Sequence, residues 1–141
     1  MQRVSRATVT VGGDVVASCG AGLAVLVGIA TEDREADADR LAQRIARLRV
    51  FENDEGRFDR SLLDTGGEAL VVSQFTLIAE TRKGNRPSFS GAADPERAEP
   101  LYDRLCRAFE GEGLRVSRGV FGARMVVALE NDGPVTIVLE T

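Results

Sequence analysis

The chain has 141 residues, a mass of 15.1 kDa and a formal net charge of −4, which indicates one domain over residues 1–141. Hydrophobic residues make up 43% and charged residues 28%, so the composition excludes a disordered or low-complexity chain. An acidic chain is also a poor candidate for binding nucleic acid through many phosphate contacts, since proteins that do so are usually basic.

The sequence predicts a cytoplasmic protein without a membrane partner. Its longest apolar stretch, residues 21–30, is too short to span a bilayer and follows two predicted strands instead of a basic leader. Cys19 and Cys106 are far apart in the sequence and have no metal-ligand spacing. We therefore interpret them as buried, reduced thiols.

The first 60 residues contain three strand patterns and one helix pattern. Residues 4–11 alternate apolar with polar side chains, two glycines supply a turn, and residues 14–18 return as a second strand. Residues 23–29 form a continuous apolar strand. Residues 32–50 predict a helix, because Leu41, Ile45 and Leu48 recur at helical spacing.

A further strand is predicted over residues 68–78, with the polar residues Ser73, Gln74 and Thr76 inside it. A Ser or Gln on the solvent face of an edge strand needs no special explanation. Apolar residues precede the Ser-Gln pair without a break, however, which favours a strand covered on both faces. The polar side chains of such a strand must find partners.

Asp94 and Pro95 are typical of the start of a second helix. Pro100 would cost about 3 kcal/mol inside that helix, so the sequence predicts a helix that begins nearer Glu99 or kinks at the proline. A short strand follows at residues 114–116. Strand-rich ends and two separated helices together predict an α+β domain.

The last two apolar runs, residues 124–129 and 135–139, are separated by Asn-Asp-Gly-Pro. This tetrapeptide predicts a tight reversal and a final hairpin, because Gly tolerates positive φ and Pro fixes its own φ. An X-Pro bond is also the one peptide bond that folded proteins hold cis with any frequency. By its local pattern alone, the segment favours an ordinary turn.

The chain contains no histidine, which removes the commonest general base and any Ser-His or Cys-His dyad. The same absence leaves only two distant cysteines and carboxylates as zinc ligands, so we predict no metal site. No phosphate-binding loop or dinucleotide fingerprint is present, so we predict no cofactor.

Residues 72–77, Val-Ser-Gln-Phe-Thr-Leu, and residues 131–136, Asn-Asp-Gly-Pro-Val-Thr, resemble the two signature motifs of the D-aminoacyl-tRNA deacylases. Further similarities at residues 2–4, 86–89 and 97–102 extend the resemblance over essentially the whole chain. The resemblance implies an enzyme that removes wrongly attached D-amino acids from tRNA. It also implies a homodimeric α+β fold, with a barrel-like, mostly antiparallel sheet and two main helices packed outside it.

The resemblance further implies a catalytic role for the first motif. Ser73, Gln74 and Phe75, with backbone N–H groups of the same stretch, would bind the end of the substrate and the developing oxyanion. An aminoacyl ester is already activated, so positioning and oxyanion stabilisation supply much of the catalysis. Thr76 is the family's traditional candidate nucleophile. A Thr hydroxyl without an adjacent base is a poor nucleophile, so we interpret it first as scaffold and second as nucleophile.

The second motif is implied to select the chirality of the substrate. In the family the Gly-Pro bond is cis, and its loop projects from one subunit into the active site of the other. If Gly133 and Pro134 do the same, an L side chain collides with backbone, whereas D-amino acids and glycine are accepted. Arg3 and Met125, by family position, would hold or line this element. The resemblance therefore implies a homodimer with its active sites at the subunit interface.

The predicted partner is aminoacyl-tRNA, held at its acceptor end, and not DNA. Arg82, Lys83 and Arg86 are candidate phosphate contacts, although a solvated basic loop has the same pattern. Two other classes remain open from the residues. They are a non-catalytic module that binds RNA ends and a structural β-protein, and the second leaves the Ser-Gln pair without a purpose.

Overall fold

The computed structural model describes residues 1–141 and contains eight strands and three helices. The strands are β1 (Gln2–Val11), β2 (Asp14–Cys19), β3 (Gly22–Val27), β4 (Phe51–Glu52), β5 (Phe58–Arg60), β6 (Glu68–Ser73), β7 (Arg115–Arg118) and β8 (Val126–Thr136). The helices are α1 (Glu35–Arg47), α2 (Leu62–Thr65) and α3 (Pro95–Gly111), and a 3-10 turn covers Phe75–Ile78.

Strand β1 is the centre of the main sheet. It pairs antiparallel with β2, β3 and β8, whereas β6 runs parallel to both β3 and β7. The strand order is β2-β1-β3-β6-β7, and β8 also pairs with β1. Contacts between β2 and β7 bring the two ends of this order together, so the sheet curls into a nearly closed barrel. The predicted α+β fold with a barrel-like sheet is confirmed.

The curled sheet separates two hydrophobic cores. The larger core lies between the sheet and helices α1 and α3, and includes Val71, Ile45 and Phe109. The smaller core includes Val4 and Leu70. Neighbouring residues of β6 thus point into different cores, because successive side chains of a strand alternate between its faces. This confirms that β6 is covered on both faces, as its unbroken apolar sequence predicted.

Helix α3 begins at Pro95 and continues through Pro100, so the predicted start nearer Glu99 is wrong. Its buried face contains Tyr102, Leu105 and Phe109. Pro100 and Glu96 are both exposed, so water can solvate the Glu96 carbonyl that the proline leaves without a donor. Burial of the apolar face therefore outweighs the local cost of the proline.

The predicted strand over residues 68–78 is also wrong in its second half. Strand β6 ends at Ser73, and residues 75–78 form the 3-10 turn. The parallel partner, β3, ends at Val27, whose carbonyl accepts the Gln74 N–H at 2.7 Å. Beyond this bond no neighbouring strand is present to extend the ladder. We refer to residues 73–78 as the site turn.

The predicted reversal at Asn-Asp-Gly-Pro is a bulge instead. Asn131 pairs with Val4 and Thr136 pairs with Gln2, so residues 132–135 stand opposite Arg3 alone. Residues 131–135 are called the Gly-Pro loop below. Pairing resumes after the loop, and β8 keeps its direction because the ladder on both sides fixes it.

Both cysteines are buried and unpaired, as predicted. Burial raises the pKa of Cys106 to about 11, so its thiol stays protonated at neutral pH. None of the helices has the length and apolar content needed to cross a membrane.

Candidate active site

The site turn leaves two backbone N–H groups without a protein acceptor. The Leu77 N–H donates to the Gln74 carbonyl and the Ala79 N–H to the Thr76 carbonyl, both at 3.2 Å. The amides of Phe75 and Thr76 stand at the start of the 3-10 turn and donate to no group of the chain. Neighbouring free amides of this kind are suited to an oxygen that acquires negative charge.

The hydroxyl of Thr76 has an amide, not a base, as its neighbour. The Gln74 side chain donates to the Thr76 hydroxyl oxygen. Thr76 is exposed, and the chain has no histidine that could take its proton. This contact can fix the orientation of the hydroxyl, but it cannot activate the hydroxyl as a nucleophile.

A largely apolar cavity of about 520 Å³ lies beside the site turn. Ser73, Gln74 and Asp94 are the polar side chains among its lining residues. Phe75 and Phe89 meet edge to face at its wall, with their ring centroids 5.0 Å apart. An apolar cavity with aromatic walls and a few polar groups suits a flat heterocyclic ring and its polar substituents.

Sequence reasoning missed part of this cavity wall. Phe121 lines the cavity, and its ring leans against Tyr102 with 6.0 Å between the centroids. The available signal was a single aromatic residue between Gly119 and Gly122. Asp94 was interpreted only as a helix start, although its side chain makes no capping hydrogen bond.

The Gly-Pro loop is fastened to Arg3, which is 6% exposed. The Arg3 guanidinium donates to the Asp132 carbonyl at 3.0 Å and to the Val50 carbonyl at 2.8 Å, and it pairs with Glu52 at 3.4 Å. The bond between Gly133 and Pro134 is cis. Gly133 has a φ of 123°, and a Cβ atom there would lie 2.8 Å from the Arg3 guanidinium. Only glycine fits this contact without displacing the arginine.

The two motifs lie apart within the chain. Met125 lines the cavity, whereas no residue of the Gly-Pro loop does. Strand β8 separates them, and at about 3.3 Å per residue the distance from Met125 to Asn131 is about 20 Å. Arg3 therefore lies at the loop and Met125 at the cavity.

Comparison with known proteins gives the family. The family model described as D-Tyr-tRNA(Tyr) deacylase matches residues 1–140. The chain belongs to this family. A D-aminoacyl-tRNA deacylase of Roseiflexus sp. (strain RS-1) is 60% identical over 141 residues, which cover 100% of this chain and 91% of the relative. The D-aminoacyl-tRNA deacylase of Thermus aquaticus is 53% identical, over 100% of this chain and 93% of the relative.

Solved structures support the deacylase-family fold. A structure described as c-Myc DNA Unwinding Element Binding Protein aligns with a TM-score of 0.93 at 42% identity, over 99% of this chain and 95% of that one. A probable eukaryotic D-amino acid tRNA deacylase aligns with a TM-score of 0.82 at 17% identity, over 93% and 91% of the two chains. The second likeness shows the fold alone.

The basic residues proposed for tRNA contact lie in the loop that leads into the cavity wall of this deacylase-family chain. Their loop is closed by the Glu80–Ser88 bridge, and Phe89 follows it directly into the cavity wall. Arg82 donates to the Glu80 carboxylate, which lowers the pKa of Glu80 below its usual value. Lys83 and Arg86 are exposed and have no carboxylate partner. No group of three or more potential metal ligands is present.

Proposed function

We propose that this chain hydrolyses the ester bond of D-aminoacyl-tRNA, releases the free D-amino acid and tRNA, and so proofreads chirality for translation in the cytoplasm. The family match over residues 1–140 supports the reaction class. The observation that carries the chemistry is the pair of unpartnered amides, Phe75 and Thr76, in the turn whose residues 73–75 line the cavity. Together they form a site for a tetrahedral oxyanion that needs no histidine.

In this proposal the cavity holds the terminal adenosine and the site turn holds the ester. The Phe75 and Thr76 amides donate to the carbonyl oxygen as it becomes negative, and Ser73 and Gln74 orient the ester. Water attacks the carbonyl carbon, and the terminal ribose leaves as its 3′ hydroxyl. The 2′ hydroxyl of that ribose positions the attacking water.

We further propose that the Gly-Pro loop of a second copy supplies the chiral filter. The loop of the same chain is about 20 Å from the cavity wall along β8, which is too far to screen a substrate bound there. Strand β1 fills one edge of β8, while the apolar Val126, at the cavity end of β8, is 66% exposed. A homodimer would place each loop at the partner's cavity and cover such surface.

Substrate chirality is the first test. Hydrolysis of D-tyrosyl-tRNA, L-tyrosyl-tRNA and glycyl-tRNA should be compared under single-turnover conditions. We expect rapid loss of the D-tyrosyl ester, hydrolysis of the glycyl ester and no effect on the L-tyrosyl ester. Equal hydrolysis of both tyrosyl esters would refute the filter, and binding without hydrolysis would favour the non-catalytic RNA-end module.

Mixed dimers test whether the loop acts in the partner's site. A Gln74→Ala homodimer should be inactive, whereas a Gly133→Ala homodimer should lose the filter and hydrolyse both tyrosyl esters. Because a purified mixed dimer contains one intact site turn facing one intact loop, we expect it to hydrolyse D-tyrosyl-tRNA at about half the wild-type rate and to leave L-tyrosyl-tRNA intact. Hydrolysis of L-tyrosyl-tRNA by a mixed dimer verified by mass spectrometry would mean that the loop acts within its own chain.

The structural neighbour named for DNA binding suggests a second candidate, but the charge of this chain does not favour it. Proteins that hold duplex DNA usually present a basic face to its phosphates. This chain has 18 basic and 22 acidic residues. A site for one nucleoside and a few phosphates requires no such face.

A further inference from the structure

The site turn lies against the end of β3 at a position that has no side chain. A Cβ atom built on Gly28 would lie 3.0 Å from the Cβ of Leu77 and 3.1 Å from the Cγ1 and Cδ1 of Ile78. Carbon atoms in favourable contact are about 3.5–4.0 Å apart. An alanine at residue 28 therefore requires the site turn to move by a few tenths of an ångström.

Ile78 is also enclosed from a second side. A Cβ atom on Gly91 would lie 3.3 Å from the Ile78 Cγ2. The segment containing Gly91 is hydrogen-bonded to the residues that follow β3. The Ala93 N–H donates to the Ile29 carbonyl at 2.9 Å, and the Thr31 N–H donates to the Gly91 carbonyl at 3.0 Å. The Ile78 side chain thus lies between two segments that hold each other in place.

The contact with Leu77 involves an atom that no rotamer change can move. A Cβ position is fixed by the backbone, so relief of this contact requires a shift of the turn itself. The same short stretch of backbone carries the Phe75 and Thr76 amides, two and one residues before Leu77. A displacement at Leu77 is therefore transmitted to the donors.

We propose that Gly28 is a positioning residue of the active site, because its missing side chain lets the site turn sit where the Phe75 and Thr76 amides meet the substrate carbonyl. The inference rests on the proposed hydrolysis of D-aminoacyl-tRNA. Gly28 itself touches no reacting atom. It acts through Leu77 and Ile78.

Alanine at residue 28 isolates this packing effect. Gly28 is not among the glycines with positive φ, so an alanine is compatible with its own backbone conformation. Gly20 is a matched control, since it also lies outside that set and a Cβ atom there meets nothing within 4 Å. Ile78→Ala supplies a partial compensating change, because it removes the Ile78 Cγ1 and Cδ1 atoms near residue 28 but leaves the Leu77 Cβ in place.

The kinetic test measures single-turnover hydrolysis of D-tyrosyl-tRNA by Gly28→Ala, Gly20→Ala, Ile78→Ala and the double variant Gly28→Ala/Ile78→Ala. We expect Gly28→Ala to lower the maximal single-turnover rate constant about tenfold or more, with little change in the enzyme concentration at half-maximal rate, because a small misplacement of oriented groups is costly. Gly20→Ala should behave as wild type. The double variant should regain part of the lost rate, since two of the three close contacts are gone and the Leu77 contact remains.

Wild-type turnover by Gly28→Ala would overturn the inference. A loss of turnover that follows a fall in Tm, without recovery in the double variant, would overturn it as well, since it would indicate a general structural role.

An NMR measurement tests the positioning independently of turnover. The amide signals of Phe75 and Thr76 should shift in Gly28→Ala and return towards their wild-type positions in the double variant. Unshifted amides would overturn the inference even if no activity were measurable. If the amide signals shift but the wild-type protein does not hydrolyse D-tyrosyl-tRNA, the role of Gly28 is supported and only the proposed function is contradicted.

Discussion

Arg3 shows how one side chain can fix a loop that is distant in sequence. Its guanidinium contacts the Asp132 and Val50 carbonyls and the Glu52 carboxylate, and it lies 5.7 Å from the centre of the Phe58 ring. A buried charge of this kind is tolerated only with several partners. Its partners come from the Gly-Pro loop and the β4–β5 hairpin, so Arg3 joins two otherwise separate parts of the surface.

The hydroxyl of Thr76 gives a prediction at the same scale. Because its neighbour is the Gln74 amide and no base is present, Thr76→Ala should retain measurable hydrolysis of D-tyrosyl-tRNA. A tRNA ending in 2′-deoxyadenosine should bind but be hydrolysed at least about a hundredfold more slowly, if the 2′ hydroxyl positions the water. Both rates can be measured in single-turnover assays.

The opposite pattern would identify Thr76 as the nucleophile. Normal hydrolysis of the deoxy substrate, an inactive Thr76→Ala and a trapped acyl-threonine would together contradict the proposed mechanism. Thr10→Ala is a suitable control, since Thr10 is a threonine of β1 outside the residues that line the cavity.

At the scale of elements, the sequence predicted the regular strands and helices well and the two irregular segments poorly. Alternation and helical spacing place β1, β2, α1 and α3 within a few residues, because these patterns depend on which face is buried. The end of β6 at Ser73 depends on where its partner β3 ends. The Gly-Pro bulge depends on the ladder with β1. Neither the end of β6 nor the bulge can be predicted from the residues of that segment alone.

The candidate site could likewise be predicted only in part from the sequence. The two motifs mark which residues to examine, but they do not show that Ser73 and Pro134 lie in different parts of one chain. Phe121 joins the cavity only because β7 runs beside β6 and brings the following segment to the site turn. Contacts between distant strands are a property of the fold and not of local composition.

Pro100 gives a prediction about helix α3. It lies on the exposed face within the helix, where a proline costs about 3 kcal/mol relative to alanine. Pro100→Ala should therefore raise the free energy of unfolding by about 1–3 kcal/mol, as measured by urea denaturation. Activity should not change. The exposed neighbour Glu99→Ala is the control, with an expected change of less than about 0.5 kcal/mol, and an unchanged or lower stability of Pro100→Ala would contradict the account.

At the scale of the whole molecule, the acidic charge limits how the chain can hold tRNA. With a net charge of −4 and few unpaired basic groups near the cavity, only a few phosphates can be neutralised. The logarithm of the binding constant should fall by about 0.7 to 0.9 per phosphate contact for each decade of salt, giving a shallow total slope. Binding titrations over a range of KCl concentrations measure it.

Arg86→Ala should reduce that slope by about one contact, whereas Arg40→Ala, on the outer helix α1, should not change it. A steep slope, typical of a protein with many phosphate contacts, would show a larger RNA footprint than the one proposed here.

The contact between Tyr102 and Phe121 has a practical consequence for experiments. Tyr102 is the single tyrosine of a chain without tryptophan, so ultraviolet fluorescence excited at the tyrosine band comes from one known residue. Burial raises the pKa of its phenol, which donates to the Val71 carbonyl at 2.8 Å, so the emission is that of a neutral ring over the working pH range. Because Phe121 contacts this ring and also lines the cavity, the protein carries an intrinsic optical probe for the nucleoside binding that we propose at that cavity.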